Sequence, residues 1–122
     1  IEKEELLDRV LEIGPYFQEQ LRSLLDIPLV GNVRGEGLMA AVEMTIEGHN
    51  EEDLLEKDYA IGEMVDQHCQ TLGLLVRPFI NICIISPPLI ISREQVDELV
   101  SILRSGLELT LTDLRDQGIW VD

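Results

Sequence analysis

The chain has 122 residues, 45% of them hydrophobic, with 24 acidic and 9 basic side chains and a net charge of −15. That length and composition specify a single folded domain with one core, and no apolar run approaches the roughly twenty residues that a membrane-spanning helix needs. The negative charge repels phosphate backbones and anionic lipid alike, so neither nucleic acid nor a membrane surface is an expected partner.

The opening Ile1-Glu2-Lys3-Glu4-Glu5 carries no initiator methionine, basic region or cleavage signal, and the chain is expected to be part of something longer. Cys69 and Cys83 fall in a predicted helix and a predicted strand of a chain without secretory features. Unpaired thiols in a reducing cytoplasm are therefore expected, not an obligatory disulfide.

From Glu2 to Leu25 the residues Leu6, Leu7, Val10, Leu11, Ile13, Phe17, Leu21, Leu24 and Leu25 recur at helical spacing, with charges on the other face. This predicts an amphipathic helix. Gly14-Pro15 lies inside it and leaves open a kink or a break, because proline lacks an amide donor and clashes with the preceding turn. Asp26-Ile27-Pro28 ends it.

Leu29 to Met44 reads as a β-hairpin, two short apolar segments around an Arg34-Gly35-Glu36-Gly37 turn. Gly35-Glu36-Gly37 resembles a phosphate loop only superficially, lacking the third spaced glycine and the following helix. The acidic run from Ile46 to Lys57 reads as a solvated loop. His49 stands near Glu51, Glu52 and Asp53 there, without the alternating spacing that oxygen ligands of a cation require.

Asp58 to Leu72 carries a second amphipathic stripe, Ala60, Ile61, Met64, Val65, His68 and Leu72, with Gly73 placed to end the helix. His68 on such a stripe is a hydrogen-bonded packing residue before it is a ligand. As helix neighbours His68 and Cys69 point about 100° apart, so they do not form a nucleophile pair.

Leu74 to Leu89 holds two β-prone apolar runs, divided by Arg77 and Pro78 and closed by Pro87-Pro88. A guanidinium among aliphatic residues must reach solvent or hold an anion, because burying an unpaired charge costs several kcal/mol. Ser92 then caps a last helix with Gln95 reciprocating, Ile91 and Val96 are placed as a hydrophobic staple, and Gly118 closes the element. The order helix, hairpin, helix, two strands, helix gives an α+β domain: a small antiparallel sheet with helices covering one face.

Chemistry-bearing constellations are sparse. There is no metal-spaced cluster, no serine elbow and no Walker loop. Lys3 and Lys57 are the lysines present, both in charged surroundings that keep an amine protonated. No catalytic, cofactor-binding or metal-binding residue is assigned. Arg77 is the polar candidate: its planar fork suits a carboxylate, against the alternatives of pairing with a surface acid or reaching water.

Three segments together resemble the C-terminal domain of class III pyridoxal-phosphate aminotransferases, the fold type I group that includes ω-amino acid:pyruvate transaminases. They are Pro28-Leu29-Val30-Gly31-Asn32-Val33-Arg34-Gly35-Glu36-Gly37-Leu38-Met39 with Glu43, then Gly73-Leu74-Leu75-Val76-Arg77-Pro78, then Ile84 to Ile91 leading into Glu94-Gln95-Val96-Asp97-Glu98-Leu99. The resemblance implies that residues 1–122 are the small domain of a longer enzyme. Its large domain, outside this chain, would supply the Schiff-base lysine and the phosphate cup for pyridoxal 5′-phosphate.

It further implies that Arg77 is a mobile, carboxylate-binding arginine, and that Arg34, Gly35 and Gly37 shape the hairpin turn. The isolated chain is then expected to bind no cofactor and to be inactive. The parent's partners would be an amine or amino acid, a keto acid, its own large domain and a second copy of itself. Where the family often has Gly-Asp two residues beyond Arg-Pro, this chain has Ile80-Asn81. The alternative from a different class is a free-standing acidic α+β module whose uncovered sheet face docks a partner or self-associates.

Overall fold

The computed structural model describes residues 2–45, 51–74, 76–87 and 91–120. His49, Leu75 and Pro88 lie outside them. Helix α1 spans Glu2–Arg22 and runs unbroken through Pro15. The carbonyl that a proline orphans belongs to the residue four back, here Leu11, which is 67% exposed. At so exposed a position water can satisfy the carbonyl, which lets the helix continue. The buried stripe Ile13, Phe17, Leu21 and Leu24 passes into a 3₁₀ turn, Ser23–Asp26.

Strands β1 (Val30–Glu36) and β2 (Met39–Met44) form the expected antiparallel hairpin. Its turn is narrower than the sequence suggests. Arg34 and Gly35 belong to β1, paired with Ala41 and Ala40, and the reversal falls at Gly37, with φ of +60°, and Leu38.

Helix α2 spans Glu51–Thr71, so residues 51–57 are helical and not a solvated loop. An acidic run favours a helix N-terminus, where it meets the positive end of the dipole, and charge alone does not separate the two. Gly73, with φ of +96°, follows the helix as expected.

Strand β3 is Arg77–Phe79 and β4 is Ile82–Ile85; the first starts at Arg77, and Leu74 and Val76 lie before it. Helix α3, Arg93–Asp116, begins with the expected reciprocal cap. The Ser92 amide donates to Gln95 Oε1 at 3.0 Å and the Gln95 amide donates to Ser92 Oγ at 3.2 Å. Ile91 and Val96 are both buried, and the chain leaves the helix at Gly118.

The four strands lie in the order β1-β2-β4-β3, every neighbouring pair antiparallel. Because side chains alternate across a sheet, Ala40, Val42, Met44, Cys83 and Ile85 share one face and are buried. Helix α2 packs against β2, β3, β4 and α3, and α1 against β1 and α3. The helices thus cover one face, and Ala41, Glu43, Ile82 and Ile84 on the other are only half-buried.

His68 is a packing residue: its Nε2 donates to Asp113 Oδ2 at 2.6 Å and ties α2 to α3. The two helices pass so closely that a Cβ on Gly106 would lie 2.7 Å from Cys69 Sγ. Cys69 and Cys83 are both buried and unpaired with each other. Among the described residues no helix is long and apolar enough to cross a membrane, and no three metal-ligating side chains gather.

Candidate functional site

Cross-strand partners in an antiparallel ladder project from the same face. The pairings Arg34↔Ala41, Ala41↔Ile84 and Ile84↔Arg77 therefore define one row across all four strands. Ala41 belongs to the uncovered face, and so does the whole row. With neighbouring strands about 4.8 Å apart, the two arginine backbones stand roughly 14 Å from each other. Two guanidiniums flank a floor of one small and one aliphatic side chain.

Arg34 is committed elsewhere: its Nη1 donates to Glu43 Oε2 at 3.1 Å, one row along the same face. Arg77 is exposed and makes no hydrogen bond or ion pair among the described residues. Of the two ways a guanidinium can sit among aliphatic residues, the structure shows the solvent-reaching one.

Beside this row lies an open trough of about 670 Å³, lined by Arg34, Gly35, Glu36, Gly37, Met39, Ala40, Ala41 and Ile84. Its walls depend on two residues to which sequence patterning gives other roles or none. A Cβ on Gly35 would lie 2.2 Å from the Met39 carbonyl oxygen and 2.7 Å from Ala40 Cα, so the ladder closes there only around a glycine. Gln18, buried in α1, donates from Nε2 to the carbonyls of Gly37 at 2.9 Å and Met39 at 3.1 Å, holding the hairpin tip. A glutamine within a helical stripe carries no sequence signal for such a role. Neither Cys69 nor His68 reaches the uncovered face: both lie in the contact of α2 with α3.

The sequence matches the family described as aminotransferase class-III over residues 1–107. The chain belongs to the class III aminotransferase family. It is 36% identical over 111 residues to the putrescine–pyruvate aminotransferase of Pseudomonas aeruginosa, covering 90% of this chain and 24% of that protein. A probable gamma-aminobutyrate transaminase of Oryza sativa subsp. japonica is 36% identical over 102 residues, 83% of this chain and 21% of the relative. In three dimensions the domain superposes on an omega-transferase from Vibrio fluvialis JS17 with a TM-score of 0.82 at 25% identity, over 95% of this chain and 27% of that one.

This class III aminotransferase chain therefore spans about a quarter of the length of the relatives it matches. The fold expected from the resemblance is the fold observed. The family uses pyridoxal 5′-phosphate, and the residues present do not fit the anchoring of that cofactor. Lys3 stands in α1 and Lys57 in α2, and none of the four strands contains a lysine. No reaction step is therefore assigned to a residue of this chain.

Proposed function

We propose that the chain is the C-terminal small domain of a pyridoxal-phosphate aminotransferase and forms one wall of its substrate site. The parent moves an amino group between an amine or ω-amino acid and a keto acid such as pyruvate. The cofactor supplies the electron sink for that transfer and is held by the remainder of the protein. What this domain adds is recognition. Arg77 pairs the substrate carboxylate with its planar fork, while Ala41 and Ile84 offer an apolar floor to the methylene chain.

The observation that carries this reading is Arg77, exposed on the helix-free face and without a hydrogen bond or ion pair among the described residues. With a flexible stem it engages a carboxylate when one is present and returns to water when the substrate is a simple amine. The rest of that face, Ile82 among it, docks against the large domain, and the parent works as a homo-oligomer. Two buried, unpaired thiols fit the reducing cytoplasm.

In the full-length protein, Arg77→Ala is expected to lower kcat/KM for an ω-amino acid by about 10- to 100-fold, the worth of a charge-assisted pair of hydrogen bonds. The amine of equal length lacking the carboxylate should change by less than about twofold. Equal losses on both substrates would remove Arg77 from the role. The isolated domain, mixed with pyridoxal phosphate and dialysed, is expected to show no visible imine absorbance. A retained band would contradict placing the cofactor's anchor elsewhere.

A further inference from the structure

Strand β3, which carries Arg77, is an edge strand of three residues. Such a strand is held by one neighbour only and is prone to fray. The turn that follows it is unusual. Ile80 has φ of +56°, the one non-glycine residue with positive φ among those described. A two-residue hairpin turn wants glycine at its left-handed position, and a β-branched side chain there is a genuine outlier. Such strain persists only where the surroundings over-determine it.

Three contacts do so here. Gly62 of α2 lies against the turn so closely that a Cβ would be 1.9 Å from the Ile80 carbonyl oxygen and 3.7 Å from Pro78 Cβ. Asn81 in turn grips β2 twice. Its side-chain Nδ2 donates to the Met44 carbonyl at 2.6 Å, and its own carbonyl accepts from the Met44 amide at 2.8 Å. Met44 is fully buried, so the grip is anchored in the core.

We propose that the Ile80-Asn81 turn, pressed against Gly62 and tied to Met44, is a positioning element that holds Arg77 over the open face and sets the preference for carboxylate-bearing over carboxylate-free amines. This rests on the carboxylate-binding reading of Arg77 given above. The backbone of β3 is fixed, so Arg77 meets or leaves a carboxylate by side-chain rotation alone. A guanidinium rotating from a fixed backbone returns to one geometry, whereas one on a drifting edge strand does not. Positional errors near 1 Å are costly in this kind of recognition.

The test uses the full-length protein with Gly62→Ala, Asn81→Ala and Arg77→Ala, each assayed on an ω-amino acid and on the equal-length amine without its carboxylate. Gly62→Ala pushes on the turn and Asn81→Ala releases it. Both are expected to lower the ratio of the two kcat/KM values about tenfold, mainly through KM of the carboxylate substrate. Arg104→Ala serves as a destabilised control. It breaks the α3 bonds to Asp26 Oδ1 at 2.8 Å and the Ser23 carbonyl at 3.0 Å, within the helix layer, and should leave the ratio unchanged.

A ratio unmoved by both turn variants, or moved equally by the control, overturns the proposal. If Arg77→Ala alone shifts the ratio, the substrate reading stands and the positioning role falls. If Arg77→Ala does not shift it, the substrate reading falls first.

Discussion

Phe17→Ala is expected to cost the domain about 3–5 kcal/mol, measured as a lower denaturant midpoint at unchanged slope. Phe17 is wholly buried, as are Leu21 on the same stripe of α1 and Leu24 in the 3₁₀ turn that follows it. A phenyl ring in such a place hides about 150–250 Å² and leaves a cavity that neighbouring leucines fill only in part. Set against a total of about 5–15 kcal/mol for a domain, the loss is large.

The damage should also reach the uncovered face, because the next residue, Gln18, holds the carbonyls of Gly37 and Met39 at the tip of the hairpin. By contrast Leu25→Ala, at a residue 48% exposed, should stay within about 0.5 kcal/mol. Similar losses from the two substitutions would mean that α1 does not pack through Phe17.

Alkaline pH should unfold the domain through its two thiols. From an ordinary value of 9.0, desolvation pushes Cys69 up to about 11, with the charge of Asp66 adding, and Cys83 up to about 12, with the charge of Cys69 and then of Asp66 adding. In the unfolded chain the thiols ionise near that ordinary value, so between it and the raised values the folded state holds more protons. The stability they contribute is intact below pH 9.0 and is lost as pH climbs towards the folded values of about 11 and about 12.

The slope is at most about 1.4 kcal/mol per pH unit for each thiol, and the two do not simply add, because charge on Cys69 contributes to the rise at Cys83. Tyr16 acts in the same direction, its hydroxyl raised by the hydrogen bond it donates to Asp97 at 2.5 Å. Comparing denaturant melts at about pH 8 and about pH 10.5 in the native chain and in Cys69→Ala/Cys83→Ala isolates the thiols. The double variant should lose clearly less on alkalinisation. Equal losses would assign the effect to other groups.

What can be read from sequence divides by range. The last helix is fully legible because its start is set by a local exchange between Ser92 and Gln95 and its end by Gly118. The sheet's helix-covered and open faces follow from alternation in β2 and β4. Elsewhere the deciding contact lies beyond the local pattern. Gly35 looks like a turn residue, yet it is a strand residue that admits the Met39 carbonyl, and that demand exists only once the hairpin has closed.

The acids of residues 51–53 suit a solvated loop and a helix N-terminus equally well, because the same charges serve solvation and the helix dipole. Pro15 is compatible with a kinked, broken or continuous helix, and the outcome depends on whether Leu11 meets solvent. Arg77 is legible as an awkward charge and its row is not, because a row is a property of register. The strained turn at Ile80 leaves its trace in the sequence only as a departure from a family pattern, and its supports, Gly62 and Met44, come from two other elements.

The edge that carries Arg77 has one more consequence. Pro78 pairs with Cys83 at the centre of β3, and a proline is tolerated in an edge strand where its missing amide faces away from the neighbour. In a strand of three residues that central position holds the outward amide donor, so the outer rim offers no donor with which a passing strand could pair. The segment that displays a guanidinium to solvent thus guards its own edge of the sheet against edge-to-edge pairing.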